Sequence, residues 1–286
     1  MKRPEYLSDK ALKEFIRTAL NEDIGEGDHS TLATVPPDKI SKAKLLVKAD
    51  GFIAGIELAE IIFKELDPSL TIIPFKKDGE AMAKGDIAFE VHGRAQSILS
   101  GERLVLNCMQ RMSGITTYTK RLCALVEGTG AQLMDTRKTT PNFRLMEKWA
   151  VAIGGGRNHR FALYDMIMLK DNHVDVAGGI IPAVVNAVNY LKAKSKKLQI
   201  EVETRNLNEV KEALSTNAVD VIMLDNMSIN DMKEAVRLIN GKCKTEASGG
   251  ITEATLRSVA ECGVDYISMG VLTHSAKSLD LSLKIF

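Results

Sequence analysis

From about residue 128 onward the chain alternates apolar, strand-like runs with helical stretches, and every run stops at a polar residue or a glycine. The runs cover 132–136, 166–169, 199–202, 219–224, 244–247 and 265–269; they stop at Arg137-Lys138, Lys170, Glu203, Asp225, Ser248 and Gly270. Helical patterns lie between them, including 207–214, 229–239 and 253–262. Parallel strands cannot be joined by a tight turn, so this alternation requires a parallel sheet with its crossover helices outside. The last four stops recur at intervals of roughly 22 residues, a short form of the α/β-barrel repeat. An open doubly wound sheet more often carries a glycine-rich phosphate fingerprint after its first strand, and none is present. Six strands are fewer than a full barrel has, so the expectation is a partial α/β barrel. Its strand stops then converge at the C-terminal mouth, where barrel enzymes keep their chemistry.

The earlier half reads differently. Ser8 or Asp9 can cap a helix with Leu12, Phe15, Ile16, Ala19 and Leu20 on one face, stopped by Gly25 and Gly27. Short strand-like runs at 43–48 and 71–75 flank a helical stretch at 56–66, and 78–93 alternates glycine turns with apolar pieces. This mixture predicts a small α+β domain. A helical pattern follows over 95–126, with an interruption expected near Gly114. The expected organisation is an N-terminal domain over 1–115, to which 275–286 can return, and a barrel domain over 116–274.

Charge and cysteines bound the function. Lys and Arg number 38 against 37 Asp and Glu, a formal charge of +1, so no global basic excess is present to attract nucleic acid or an acidic membrane. Cys108, Cys123, Cys243 and Cys262 form no C-x-x-C pair and sit among apolar neighbours, as free thiols of a reducing compartment do. The first ten residues hold no apolar run and the apolar stretches are too short to span a bilayer, so the expectation is a cytoplasmic protein without a leader.

Positive charge is nonetheless concentrated locally. Between Arg137 and Lys170 there are seven Lys or Arg against two acids, within D-T-R-K-T-T-P, G-G-G-R-N-H-R and L-K-D-N-H. Arg grips carboxylates and phosphates through a planar fork, and Lys acts as a mobile point charge. Arg137, Lys138 and Lys170 end apolar strands and so point to a site, whereas Arg144 and Lys148 read as a solvated helix face. Gly154–Gly156 follow a helix and read as its stop, bringing Asn158, His159 and Arg160 toward the mouth. Glu201 and Glu203 fall on one side of a strand, with Glu203 at its end, and Asp225 ends the next. Such acids can hold sugar hydroxyls or Mg²⁺, or simply pair with the nearby cations. Ser248-Gly249-Gly250 and Gly270 offer backbone N–H groups suited to phosphate. Arg103 reads as a surface residue, and His29, His92, His173 and His274 lack metal-ligand spacing.

As an ordered set these motifs, with E-D-I-G-E-G-D, V-E-T-R-N-L, M-L-D-N-M, E-A-S-G-G-I and S-M-G, resemble the decarboxylating quinolinate phosphoribosyltransferases over nearly the whole chain. The resemblance implies a small N-terminal α+β sandwich domain, a six-stranded partial barrel and a homodimer in which Arg103 reaches the partner's site. It implies quinolinate and phosphoribosyl pyrophosphate as substrates, with Mg²⁺ accompanying the pyrophosphate and no organic cofactor. Substrate-binding positions carry over onto Arg103, Thr136, Arg137, Lys138, His159, Arg160 and Lys170, sugar-binding acids onto Glu203 and Asp225, and phosphate contacts onto Ser248, Gly249 and Gly270. Lys138, Lys170, Glu203 and Asp225 are the expected catalytic groups, with no resident metal ligands. Asn142 stands where the family usually has glycine, and Asn tolerates the left-handed backbone this loop needs. Two other readings stay open: a lyase using Lys170 as a Schiff base, and a paralogue serving another pathway.

Overall fold

The computed structural model describes residues 3–286; Met1 and Lys2, the start of the segment read as leaderless, lie outside the described residues. Its elements begin with α1 (Asp9–Ile24), α2 (His29–Thr34), β1 (Ile40–Val47), β2 (Gly51–Phe52), α3 (Ile56–Leu66), β3 (Thr71–Pro74), β4 (Ala81–Met82), β5 (Ile87–Arg94) and α4 (Ala95–Leu125). Then come β6 (Gln132–Met134), α5 (Arg144–Ile153), β7 (Ile167–Leu169), α6 (Asp171–Ala177), α7 (Ile180–Ala193), β8 (Ile200–Thr204) and α8 (Leu207–Ser215). The chain closes with β9 (Val221–Asp225), α9 (Ile229–Ile239), β10 (Lys244–Ser248), α10 (Glu253–Ala260), β11 (Tyr266–Ser268), α11 (Val271–His274) and β12 (Leu281–Ile285). Two compact units result. One holds the chain to Lys120 with Lys138–Gly155 and Val271–Phe286; the other holds Arg121–Arg137 and Gly156–Gly270.

In the first unit an antiparallel sheet runs β12-β1-β5-β3. Ala43, Leu45 and Val47 of β1 are buried while their neighbours are not, and that period of two fixes which face meets the core. Helix α1 is capped by Ser8, whose Oγ accepts from the Ala11 N–H (3.2 Å), and it buries Leu12 and Ile16. Asp67 is 2% exposed and accepts from Arg94 Nε (2.8 Å), Ser97 Oγ (2.7 Å) and Ser69 Oγ (2.7 Å). These donors, Arg94 foremost, hold its carboxyl far below the usual carboxylate range against the opposing effect of burial.

Two expectations are corrected here. Helix α4 runs unbroken for 31 residues through Gly114. The glycine serves packing: a Cβ there would overlap the Lys277 carbonyl, and the Leu279 N–H donates to the Gln110 carbonyl (3.0 Å) beside it. The solvated face expected of α5 is only half present. Arg144 is partly exposed and donates to Thr139 Oγ1 (2.9 Å), but Lys148 is fully buried, because every residue from Met146 to Val151 is covered.

The second unit carries six parallel strands in the order β6-β11-β10-β9-β8-β7, the partial barrel expected. The outer edge of β6 is not bare. Arg157 lies parallel to Met134, donating its N–H to the Leu133 carbonyl (2.7 Å) and accepting from the Asp135 N–H (3.2 Å). The strands also run slightly past their apolar stretches: β8 ends at Thr204, β9 includes Asp225 and β10 includes Ser248. Backbone pairing of Thr204 with Leu224 and of Ser248 with Asp225 continues where the side chains turn polar. Among the described residues all four cysteines are free and no single helix is long and apolar enough to cross a membrane.

Candidate active site

The C-terminal strand tips of the second unit carry Arg137, Lys170, Glu203 and Asp225, four of the charged residues singled out by sequence. Lys170 directly follows β7, and its Nζ donates to Glu203 Oε2 on the neighbouring β8 (3.2 Å). Asp225 ends β9, where its Oδ2 accepts from Asn226 Nδ2 (2.7 Å). Asn226 takes a left-handed backbone (φ 52°) and donates its N–H to the Ser248 carbonyl (2.9 Å), which ties the β9 and β10 tips together. Gly249 follows at φ +85°, and a Cβ there would overlap the Asn226 carboxamide. Only glycine fits, leaving a side-chain-free turn of the kind that admits phosphate. Thr136 and Arg137 follow β6, and Gly270 follows β11 just after Met269, whose N–H donates to the Met134 carbonyl (2.9 Å).

Glu201 and Glu203 share a side of β8 but have different partners. Glu203 meets Lys170 at the tip, while Glu201, one layer deeper, faces His159. His159 Nε2 lies 3.1 Å from Glu201 Oε2 and 3.4 Å from Glu246 Oε2 on β10. Burial opposes a charge on this ring, but the two carboxylates outweigh it and lift the imidazole pKa to about 9, while burial pushes Glu201 up. These three donors lie within 4.8 Å of one another. The three form a buried cluster in which the ring's Nε2 faces both carboxylates while its Nδ1 accepts from the Arg160 N–H (2.6 Å). Beside it a cavity of about 260 Å³ reaches the N-terminal strand starts at Gln199, Lys244 and Tyr266. Arg160 Nη1 donates to the Met166 carbonyl (3.2 Å), and burial together with the nearby Arg137 charge lowers its pKa.

The first unit holds the other two assigned residues. Arg103 is exposed on α4, and Lys138 is exposed at the head of the loop that leads into α5. That loop is pinned by Glu147, which accepts from the Thr140 N–H (3.0 Å) and Thr140 Oγ1 (2.9 Å). Asn142 does adopt the left-handed backbone expected of it (φ 60°).

Sequence reasoning missed three residues. Asp135 is fully buried and accepts from Asn158 Nδ2 (2.6 Å) and the His159 N–H (2.9 Å), so it sets the course of the N-H-R segment. Glu246 stands two residues before Ser248, and the alternation that pairs Glu201 with Glu203 would have found it. Glu147 gave no local signal, since its partner Arg111 comes from another helix.

Comparison with known proteins agrees with this arrangement. The family models for the N- and C-terminal domains of quinolinate phosphoribosyl transferase match residues 28–113 and 115–284. The chloroplastic nicotinate-nucleotide pyrophosphorylase (carboxylating) of Oryza sativa is 48% identical, covering 96% of this chain and 77% of that protein. The probable enzyme of the same name from Bacillus subtilis is 42% identical, with 96% and 93% covered. The crystal structure of NadC from Streptococcus pyogenes superposes with a TM-score of 0.91 at 38% identity, over 98% of both chains. With both family models matched in order along the chain, and with relatives this similar over nearly its full length, the protein belongs to the quinolinate phosphoribosyltransferase family.

Proposed function

We propose that the strand-tip residues of the barrel carry the family's reaction. The enzyme is a pentosyltransferase of NAD biosynthesis: it joins quinolinate to phosphoribosyl pyrophosphate and yields nicotinate mononucleotide, pyrophosphate and CO₂. The observation that supports the site is the run of adjacent tips bearing Lys170, Glu203, Asp225, Ser248 and Gly249. Quinolinate carries two adjacent carboxylates and its co-substrate several more charges, so a pocket for both needs a dense cationic lining. Arg137, Arg160 and Lys170 grip the carboxylates, joined by the partner subunit's Arg103 in a homodimer. His159 joins that wall, oriented by Glu201 and Glu246 at Nε2 and by the Arg160 N–H at Nδ1. Lys138 attends the pyrophosphate, Thr136 lines the pocket, and Ser248, Gly249 and Gly270 cradle phosphate.

Glu203 and Asp225 hold the ribose hydroxyls and steady positive charge on the ribosyl carbon as its bond to pyrophosphate breaks and the ring nitrogen bonds to it. Their hard carboxylate oxygens also fit Mg²⁺, which when bound neutralises charge on the leaving pyrophosphate. The glycosylated, cationic ring nitrogen then stabilises the carbanion that departing CO₂ leaves on the neighbouring carbon, and a proton bonds to that carbon in place of CO₂. Catalysis is positioning and electrostatics. The lyase reading is disfavoured because Lys170 is half-exposed and paired with Glu203 instead of desolvated in an apolar pocket. Arg137→Ala and Lys170→Ala should each cost about 3 kcal/mol, near 10²-fold in rate. Near-normal turnover in both would overturn the assignment.

A further inference from the structure

Lys138 is exposed, and its reach depends on a backbone held by a closed circuit of hydrogen bonds. Thr273 Oγ1 donates to the Lys138 carbonyl (2.8 Å). Two residues on, Glu147 accepts from both the N–H and the hydroxyl of Thr140. Glu147 in turn accepts from Arg111 Nε (2.9 Å), and the same guanidinium donates to the carbonyls of Ala276 (2.6 Å) and Thr273. The circuit therefore returns to Thr273, which leads back to Lys138. Glu147 and Thr273 are fully buried, so the circuit is anchored on two side chains withdrawn from water.

We propose that Arg111, Glu147 and Thr273 are positioning residues that set Lys138 for pyrophosphate departure; this rests on the assignment of Lys138 above. The physical case is twofold. An apolar pair of similar volume would stabilise the fold as well as a buried ion pair does, so the polar circuit suits geometry better than stability. Apart from the Arg111–Glu147 pair itself, each of its bonds ends on backbone or hydroxyl groups of 138–140 or of 273–276, the segment immediately after Gly270, so one circuit fixes both stretches. A misplacement of about 1 Å in a reacting group costs on the order of 10² in rate.

The test uses Thr273→Val, which removes one hydroxyl at near-constant volume, alone and combined with Lys138→Ala. Rates are measured on the full-length protein with both substrates, and melting temperature is followed in parallel. Thr273→Val should lower kcat about 10–100-fold, with KM for quinolinate within about twofold because the carboxylate grip is untouched. In the Lys138→Ala background the same substitution should cost almost nothing, since the group it positions is gone. Arg111→Lys, which keeps the charge and loses the fork, should behave like Thr273→Val. Equal losses in both backgrounds would overturn the inference and make the circuit structural only. Full turnover in Lys138→Ala alone would instead remove the Lys138 assignment, and the positioning role with it.

Discussion

Replacing Gly114 by alanine should destabilise the protein, against the usual sign of that change. In a helix interior, glycine to alanine normally gains about 0.5–1 kcal/mol, because glycine loses more backbone entropy on folding. Gly114 sits well inside the 31-residue helix α4, so propensity alone predicts a more stable protein. The added Cβ, however, would overlap the carbonyl of Lys277 and stand 3.0 Å from Ser278 Cα, both backbone groups that cannot rotate aside. That backbone is held on both sides. The Leu279 N–H donates to the Gln110 carbonyl (3.0 Å), Gln110 Nε2 donates to the Leu281 carbonyl (2.9 Å), and β12 pairs along β1. Relief requires the 277–279 stretch to lift from α4, which weakens at least one hydrogen bond worth about 1 kcal/mol on top of an overpacking cost of about 1–3 kcal/mol. After subtracting the propensity gain, the net loss is about 1–3 kcal/mol. Urea unfolding followed by circular dichroism measures it, with the slope unchanged and the midpoint lowered. A Gly114→Ala midpoint at or above that of the parent would refute the packing argument.

Three further outcomes follow from the same reasoning. Gly249→Ala places a methyl into the Asn226 carboxamide at a backbone of φ +85°, so KM for phosphoribosyl pyrophosphate should rise at least about 10-fold while that for quinolinate moves less. Asp67→Asn removes a carboxyl whose folded pKa lies below its unfolded value of about 4, held down chiefly by Arg94. The stability that carboxylate contributes is complete above the unfolded pKa and fades as pH falls toward the folded one. The variant should therefore melt well below the parent at pH 7, with the gap narrowing steadily as pH falls below about 4. Glu246→Gln removes one of the two carboxylates facing His159, so the imidazole should titrate about 1–2 units below its present value near 9 in a proton NMR titration, and an unmoved pKa would refute the ion-pair cluster.

Much of the barrel was legible because its signals are local. Apolar runs ending in Lys170, Glu203, Asp225, Ser248 and Gly270 mark strand tips, and the strand period alone puts Glu201 and Glu203 on one side. Asn142 was readable for the same reason: a left-handed position admits few residue types. What escaped depends on contacts between distant parts of the chain. Gly114 looked like a helix break because nothing in its neighbourhood reveals that Lys277 packs across it. Lys148 looked solvated because the helix pattern cannot say what covers the far face of α5. Asp135, Glu147 and Glu246 are buried acids, and what holds them becomes clear only beside Asn158, Arg111 and His159.

The most direct measurement is release of CO₂ and pyrophosphate by the purified protein given quinolinate, phosphoribosyl pyrophosphate and Mg²⁺, with nicotinate in place of quinolinate in a parallel reaction. In the proposed site two adjacent carboxylates engage more of Arg137, Arg160 and Lys170 than one does, so both products should appear in equal amounts with quinolinate and neither with nicotinate. Silence with both acids, from folded protein that still binds phosphoribosyl pyrophosphate, would contradict the account.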